Sequence, residues 1–132
     1  MKYLLDTNIC IHFFRGNFNL IEIIENVGLE NCAISEITLA ELVFGAENSK
    51  SPKRNLKLIE TLSQQVAILP ILDAISHYGK QKVKLKREGK MISDFDLLIG
   101  TTAIANNLIM VTENTKEFNR ITSIKLENWV KR

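Results

Sequence analysis

Cysteine is scarce in this 132-residue chain: only Cys10 and Cys32 occur, each inside an apolar stretch. Two are too few for the disulfide framework of a small secreted domain, and no Cys-x-x-Cys pair offers a zinc or redox motif. The two histidines, His12 and His77, lack metal-binding spacing and read as surface or half-buried side chains on helices. No run approaches the ~18 apolar residues of a membrane span. The apolar start, Tyr3-Leu4-Leu5, is cut by Asp6 too early to serve as a signal core. A reduced, cytoplasmic chain that does not enter a membrane is expected. An excess of either charge is also missing, because 17 basic and 15 acidic residues leave a net charge of +2. That total excludes a uniformly cationic, nucleic-acid-coating protein. Aspartate is also scarce, with four in all.

What is present is an ordinary globular composition, 45% hydrophobic and 24% charged, at a length of about one domain. No linker, repeat or low-complexity stretch divides it, so residues 1–132 are expected to form a single domain. Short apolar runs read as strands: Tyr3-Leu4-Leu5, Cys32-Ala33-Ile34, Val66-Ala67-Ile68-Leu69, Leu108-Ile109-Met110-Val111 and Ile124-Lys125-Leu126. All but the last are nearly continuous in apolar character, as parallel strands covered on both faces should be. Between them apolar residues recur at helical spacing. Pro52 suits a first helical turn, and Gly16, Gly28, Gly45 and Gly89 fall where helices should stop. Strands alternating with helices predict an α/β fold with a mostly parallel sheet between two helical layers.

The acids fall at telling places. Asp6 follows the first strand directly, Glu41 sits in the apolar helix Ile37–Phe44, and Asp94 and Asp96 open another helix. Each has a capping explanation: Asp6 as an N-cap, Ser93-x-x-Asp96 as a capping box, Thr38-x-x-Glu41 as a better one. Together they suggest more. Sites in open α/β sheets form at the carboxyl ends of strands, where Asp6, Glu41, Asp96 and the segment Thr112-Glu113-Asn114 would converge. Carboxylates gathered there repel one another, and a hard cation, Mg²⁺ or alternatively Mn²⁺, relieves the repulsion through oxygen ligands.

In order along the chain, Leu5-Asp6-Thr7-Asn8, Ile37-Thr38-Leu39-Ala40-Glu41-Leu42-Val43-Phe44-Gly45, Asp94-Phe95-Asp96-Leu97-Leu98-Ile99-Gly100, Val111–Phe118 and Ile124–Trp129 resemble the PIN-domain nucleases. The closest resemblance is to the VapC toxins of bacterial toxin–antitoxin pairs. It implies a three-layer PIN-like fold and a Mg²⁺-dependent endoribonuclease leaving 5′-phosphate and 3′-hydroxyl ends. It also implies a cognate antitoxin, in a homodimer or a toxin–antitoxin hetero-oligomer. Carried over by position, Asp6, Glu41 and Asp96 match the acidic metal site, with Asp94 an auxiliary acid or a helix-start residue. Many relatives carry a fourth acid two residues after the threonine matching Thr112, where this chain has Asn114. Either three acids suffice, or Glu117 or Asp94 reaches in. Thr7, Asn8 and Thr112 either orient carboxylates and water or cap the helix and turns. The alternative is a catalytically weak module that binds RNA or a partner, favoured by Asn114.

Residues 80–90 hold six basic residues and one acid, a net +5, which leaves −3 for the rest. On a helix leading to the Asp94 start, Lys82, Lys84, Lys86 and Arg87 read either as a phosphate-contacting stripe or as a solvated face with Val83 and Leu85 half-buried. Leu39, Leu42, Val43 and Phe44, with the Ile9–Phe14 segment, are more apolar all round than one buried face needs. That surplus predicts a dimer interface or an antitoxin groove. A receiver-like signalling domain fits poorly, because Asp6 has no acidic neighbour and Val66–Leu69 runs into Pro70.

Overall fold

A computed structural model describes all 132 residues. In chain order the elements are β1 (Tyr3–Leu5), α1 (Thr7–Phe14), α2 (Leu20–Val27), β2 (Cys32–Ser35), α3 (Glu36–Glu47) and α4 (Pro52–Gln65). They continue with β3 (Ala67–Leu69), α5 (Ile75–Glu88), α6 (Asp94–Ala105), β4 (Ile109–Val111), α7 (Thr115–Phe118) and β5 (Leu126–Glu127). The five strands form one parallel sheet in the order β3-β2-β1-β4-β5. In the central pair, Leu4 stands opposite Met110 and Leu5 opposite Val111.

Alternation along these strands builds two cores. Leu5, Cys32, Ile34 and Val111 pack against α1–α4, while Leu4, Ala33 and Met110 pack against α5–α7. Successive strand side chains point to opposite faces, so covering both faces requires the unbroken apolar runs seen in β1, β2 and β4. The α/β/α layering is therefore that expected from the sequence. No helix is long and apolar enough to cross a membrane.

Three local readings are corrected. β3 is an edge strand with one neighbour, and its Ala67 and Ile68 are exposed instead of covered on both faces. Helix α3 runs through Gly45 to Glu47, where nothing crowds the missing side chain. The cap of α3 is Ser35, whose Oγ accepts from the Ile37 amide at 3.1 Å. Thr38 thus lies inside the helix, fully buried, and is no capping-box residue. Gly89, by contrast, does end α5, in the left-handed conformation (φ 66°) that costs a glycine little.

The strand order places the site. From β1 the chain builds outward through β2 and β3, then returns to the other side of β1 for β4 and β5. The reversal falls between β1 and β4, whose carboxyl ends carry Asp6 and Thr112. A crevice outside such a reversal is where open α/β sheets bind ligands.

Candidate functional site

Asp6 is the only charged side chain among the 34 buried residues, at 4% exposure. Its amide donates to the Val111 carbonyl at 2.9 Å, tying the ends of β1 and β4 together. Its Oδ1 accepts from the Thr7 amide at 2.8 Å and caps α1, as expected; its Oδ2 accepts from the Thr112 hydroxyl at 2.7 Å. An ionised carboxylate has about four acceptor positions, so two remain for a ligand. Burial pushes the Asp6 carboxyl above its usual range; the bonds from Thr112 and Thr7 oppose this, and the charges of Glu41 and Glu117 add to it.

Thr112 also accepts the Asn114 amide at 3.0 Å, which folds the β4–α7 turn back over Asp6. The Asn114 side chain then donates through Nδ2 to Glu117 Oε2 at 2.9 Å. Glu117 is thereby aimed at Asp96 and lies within hydrogen-bonding reach of it. Asp96 is half-buried on the first turn of α6, where its amide donates to Ser93 Oγ at 3.2 Å. Burial, the contact with Glu117 and the charge of Asp6 push its carboxyl up to about 7. Glu41 stands half-buried about one and a half turns into α3, near enough to Asp6 to raise it, and its Oε1 accepts from the Thr7 hydroxyl at 2.7 Å. Thr7 Oγ1 also lies 3.2 Å from Thr38 Oγ1.

The acid that reaches in beside Asp6 and Asp96 is therefore Glu117, held by the amide at position 114. Asp94 does not reach in. It points away from the cluster, accepting from Tyr78 Oη and Lys82 Nζ at 2.8 Å each, and these donors hold its carboxyl below the usual range. With side chains in these positions no three carboxylates, imidazoles or thiolates stand at ligating distances. Asn8 follows Thr7 on α1, with its Oδ1 buried and unpartnered.

The basic segment is divided. Lys82 is held by Asp94 and Lys84 by Glu88 at 3.1 Å, whereas Lys86 and Arg87 are exposed and take part in no ion pair. Leu85 is buried and Val83 is 49% exposed, so the two are not equally half-buried as the sequence suggested. On the opposite layer, a groove of about 460 Å³ opens between α1, α3 and α4. Ile11, Phe14, Leu42, Ala46, Leu58 and Ile59 line it together with Arg15, Arg54 and Glu41. Phe44 beside it is 71% exposed. His77 is exposed. His12 is half-buried and pairs with Glu113, which also binds Arg132; no sequence signal marked this group.

The PIN domain family matches residues 3–123. The tRNA(fMet)-specific endonuclease VapC of Shigella flexneri is 36% identical over 130 residues, covering 98% of each chain. The ribonuclease VapC of Haemophilus influenzae (strain 86-028NP) is 37% identical over 133 residues, covering 98% of this chain and 99% of its own. A chain in the crystal structure of DNA-bound VapBC from Salmonella typhimurium superposes with a TM-score of 0.89 at 35% identity, covering 98% of both. This chain belongs to the PIN-domain family, and within it to the VapC ribonucleases.

Proposed function

We propose that this chain is a Mg²⁺-dependent endoribonuclease, with Mn²⁺ as an alternative ion, and the toxin of a toxin–antitoxin pair. The observation that carries the reading is the grouping of Asp6, Asp96 and Glu117 at the strand-order reversal with no cationic side chain among them. A buried carboxylate beside others costs several kcal/mol unless a counter-charge is supplied. The donors are all oxygen and no histidine or thiolate takes part, which fits a hard divalent cation.

Asp6, Asp96 and Glu117 would hold the ion, with Glu41 at its edge. When bound, it supplies positive charge for the transition state of phosphodiester hydrolysis and acidifies a water. The chain's own groups do the rest. Thr112 and Thr7 fix both oxygens of Asp6, Asn114 fixes Glu117, and Thr7 turns Glu41 toward the same crevice. A free carboxylate oxygen of the cluster takes the proton from the attacking water. Asn114, the feature that favoured a non-cleaving module, is on this reading the support of a fourth acid. Lys86 and Arg87 offer unpaired cations for the RNA backbone. The apolar groove between α1, α3 and α4 suits a segment of the cognate antitoxin, and exposed Phe44 suits burial in a homodimer or hetero-oligomer.

The test is incubation of wild-type, Asp6→Asn and Asp96→Asn proteins with a defined RNA pool, in Mg²⁺ or EDTA. Transfer RNA for initiator methionine belongs in the pool, given the specificity named for the Shigella flexneri relative. Cleavage by wild type in Mg²⁺ alone, lost in both variants, is expected. Wild-type cleavage in EDTA, or an Asp6→Asn protein that cuts normally, overturns the proposal.

A further inference from the structure

Glu113 lies between the two residues that orient the acids, Thr112 and Asn114, and its side chain belongs to a separate cluster. Its Oε1 is 2.9 Å from His12 Nε2 on α1. Its Oε2 accepts from Arg132 through both Nε, at 2.8 Å, and Nη2. The Arg132 guanidinium lies 4.8 Å from the centre of the Phe18 ring, and the His12 ring meets the same ring edge-on, at 4.8 Å and 87°. Phe18 and Asn19 both adopt left-handed backbone (φ 56° and 59°), which a bulky side chain rarely adopts. Such strain persists only where the surroundings over-determine it, and two partners packed on the Phe18 ring do so.

Three chain segments thus meet at one carboxylate, α1, the β4–α7 turn that carries it and residue 132, and Phe18 of the α1–α2 turn packs on both of its side-chain partners. The His12 side chain is 16% exposed and its Nδ1 is buried without a partner. The tautomer that donates from Nε2 to Glu113 leaves only an acceptor unsatisfied at Nδ1, which is the less costly choice. Together His12 and Arg132 offer up to three donors to one acid, more than the turn needs merely to close.

We infer that His12 and Arg132 are positioning residues that act through Glu113, holding the β4–α7 turn so that Thr112 and Asn114 present Asp6 and Glu117 to the site. Clamped from both sides, the turn cannot slide, so the acids keep their spacing when the cation and RNA arrive. This role rests on the nuclease reading above, but the clamp itself can be measured without it. Loss of an outer support of this kind typically lowers metal affinity or activity by about 10–100-fold.

The test compares wild type with Glu113→Ala, Arg132→Ala, His12→Ala and His12→Gln, the last keeping a donor near the place of Nε2. Three quantities are read: amide hydrogen exchange at Asn114 and Phe118, the Mg²⁺ concentration giving half the maximal thermal stabilisation without RNA, and kcat and KM for RNA cleavage. Glu113→Ala should speed exchange at both amides, raise the Mg²⁺ midpoint about tenfold and lower kcat about tenfold with KM unchanged. Arg132→Ala and His12→Ala should follow it, and His12→Gln should restore most of the loss. Wild-type exchange in Glu113→Ala overturns the clamp, and so does equal loss in His12→Ala and His12→Gln. A wild type that neither cleaves RNA nor responds to Mg²⁺ sinks the nuclease reading, and the exchange result then decides the clamp alone.

Discussion

Neutralising Asp96 should make the protein more stable while removing its response to a cation. Moving a carboxyl from its ordinary value near 4 to about 7 corresponds to ~4 kcal/mol of preference for the neutral form. Asp96 is only half-buried, so solvent screening reduces this to about 1–2 kcal/mol. The sign follows from proton linkage. The folded chain holds this proton more tightly than the unfolded chain, so Asp96 favours folding below pH ~4, and that contribution is lost as pH rises through about 7. At pH 8 the wild type bears the full penalty. Asp96→Asn relieves it, and the new amide can donate to Glu117. At this length ~1 kcal/mol moves the melting temperature by about 4 °C. In EDTA at pH 8, Asp96→Asn should therefore melt about 4–8 °C above wild type, with the gap closing toward pH 4. Added Mg²⁺ should raise the wild-type melting temperature by occupying the folded state alone, and leave Asp96→Asn nearly unmoved. Calorimetry of both proteins at two pH values, with and without Mg²⁺, measures all four quantities. If Asp96→Asn melts at or below wild type in EDTA at pH 8, the acids do not repel and the case for a cation between them collapses.

Three further outcomes follow from the same contacts. Thr112→Val removes a hydroxyl that donates to buried Asp6, and should cost about 2 kcal/mol in urea unfolding; the cost should shrink when Asp6→Asn is also present, as a double-mutant cycle would register. A Cβ on Gly100 would stand 2.5 Å from Ile121 Cδ1, and Ile121 is itself 2% exposed. Gly100→Ala should thus lose about 1–2 kcal/mol, because overpacking outweighs the gain in helix propensity, and adding Ile121→Val, which removes that methyl, should recover it in chemical denaturation. Replacing both Lys86 and Arg87 by Gln should flatten the slope of log affinity against log salt for single-stranded RNA by about 1.4, while Lys84→Gln, already paired with Glu88, should change it little; fluorescence anisotropy across a salt series reads both.

The sheet was legible where both faces of a strand are covered, because β1, β2 and β4 must then be apolar throughout. β3 carries the same apolar signature yet is exposed, since position at a sheet edge depends on strand order and leaves no mark in a three-residue run. Helix ends were less legible. Gly45 looked like a stop but continues α3, because a helix held by Leu42 and Ala46 on its buried face tolerates one glycine. Asp6, Glu41 and Asp96 stood out as acids beside apolar residues, and the fold sets Glu41 and Asp96 near Asp6. Whether Asp94 or Glu117 completes the group turned on side-chain direction. Asp94 is drawn off by Lys82 and Tyr78, and Glu117 is drawn in by Asn114. The group around Glu113 left no trace at all. His12 lies 101 residues from it and Arg132 lies 19, and only the folded chain brings them together.

The near-neutral total of +2 conceals how the charge is arranged. Several acids outside the cluster have cations: Asp94 has Lys82, Glu88 has Lys84, and Glu113 has His12 and Arg132. None of the five ion pairs includes Asp6, Glu41, Asp96 or Glu117. Those four instead receive neutral donors, from Thr112 and Thr7 for Asp6, Thr7 for Glu41, Asn114 for Glu117 and Ser93 for Asp96. A neutral donor orients a carboxylate without cancelling its charge, whereas a lysine or arginine would satisfy it and leave nothing for a cation to do. The want of a basic partner sets these four apart only together with their burial and their grouping at one strand edge, because exposed acids such as Glu22 and Glu36 also lack one. A charge count over the whole chain, which sums paired and unpaired acids alike, therefore cannot find them.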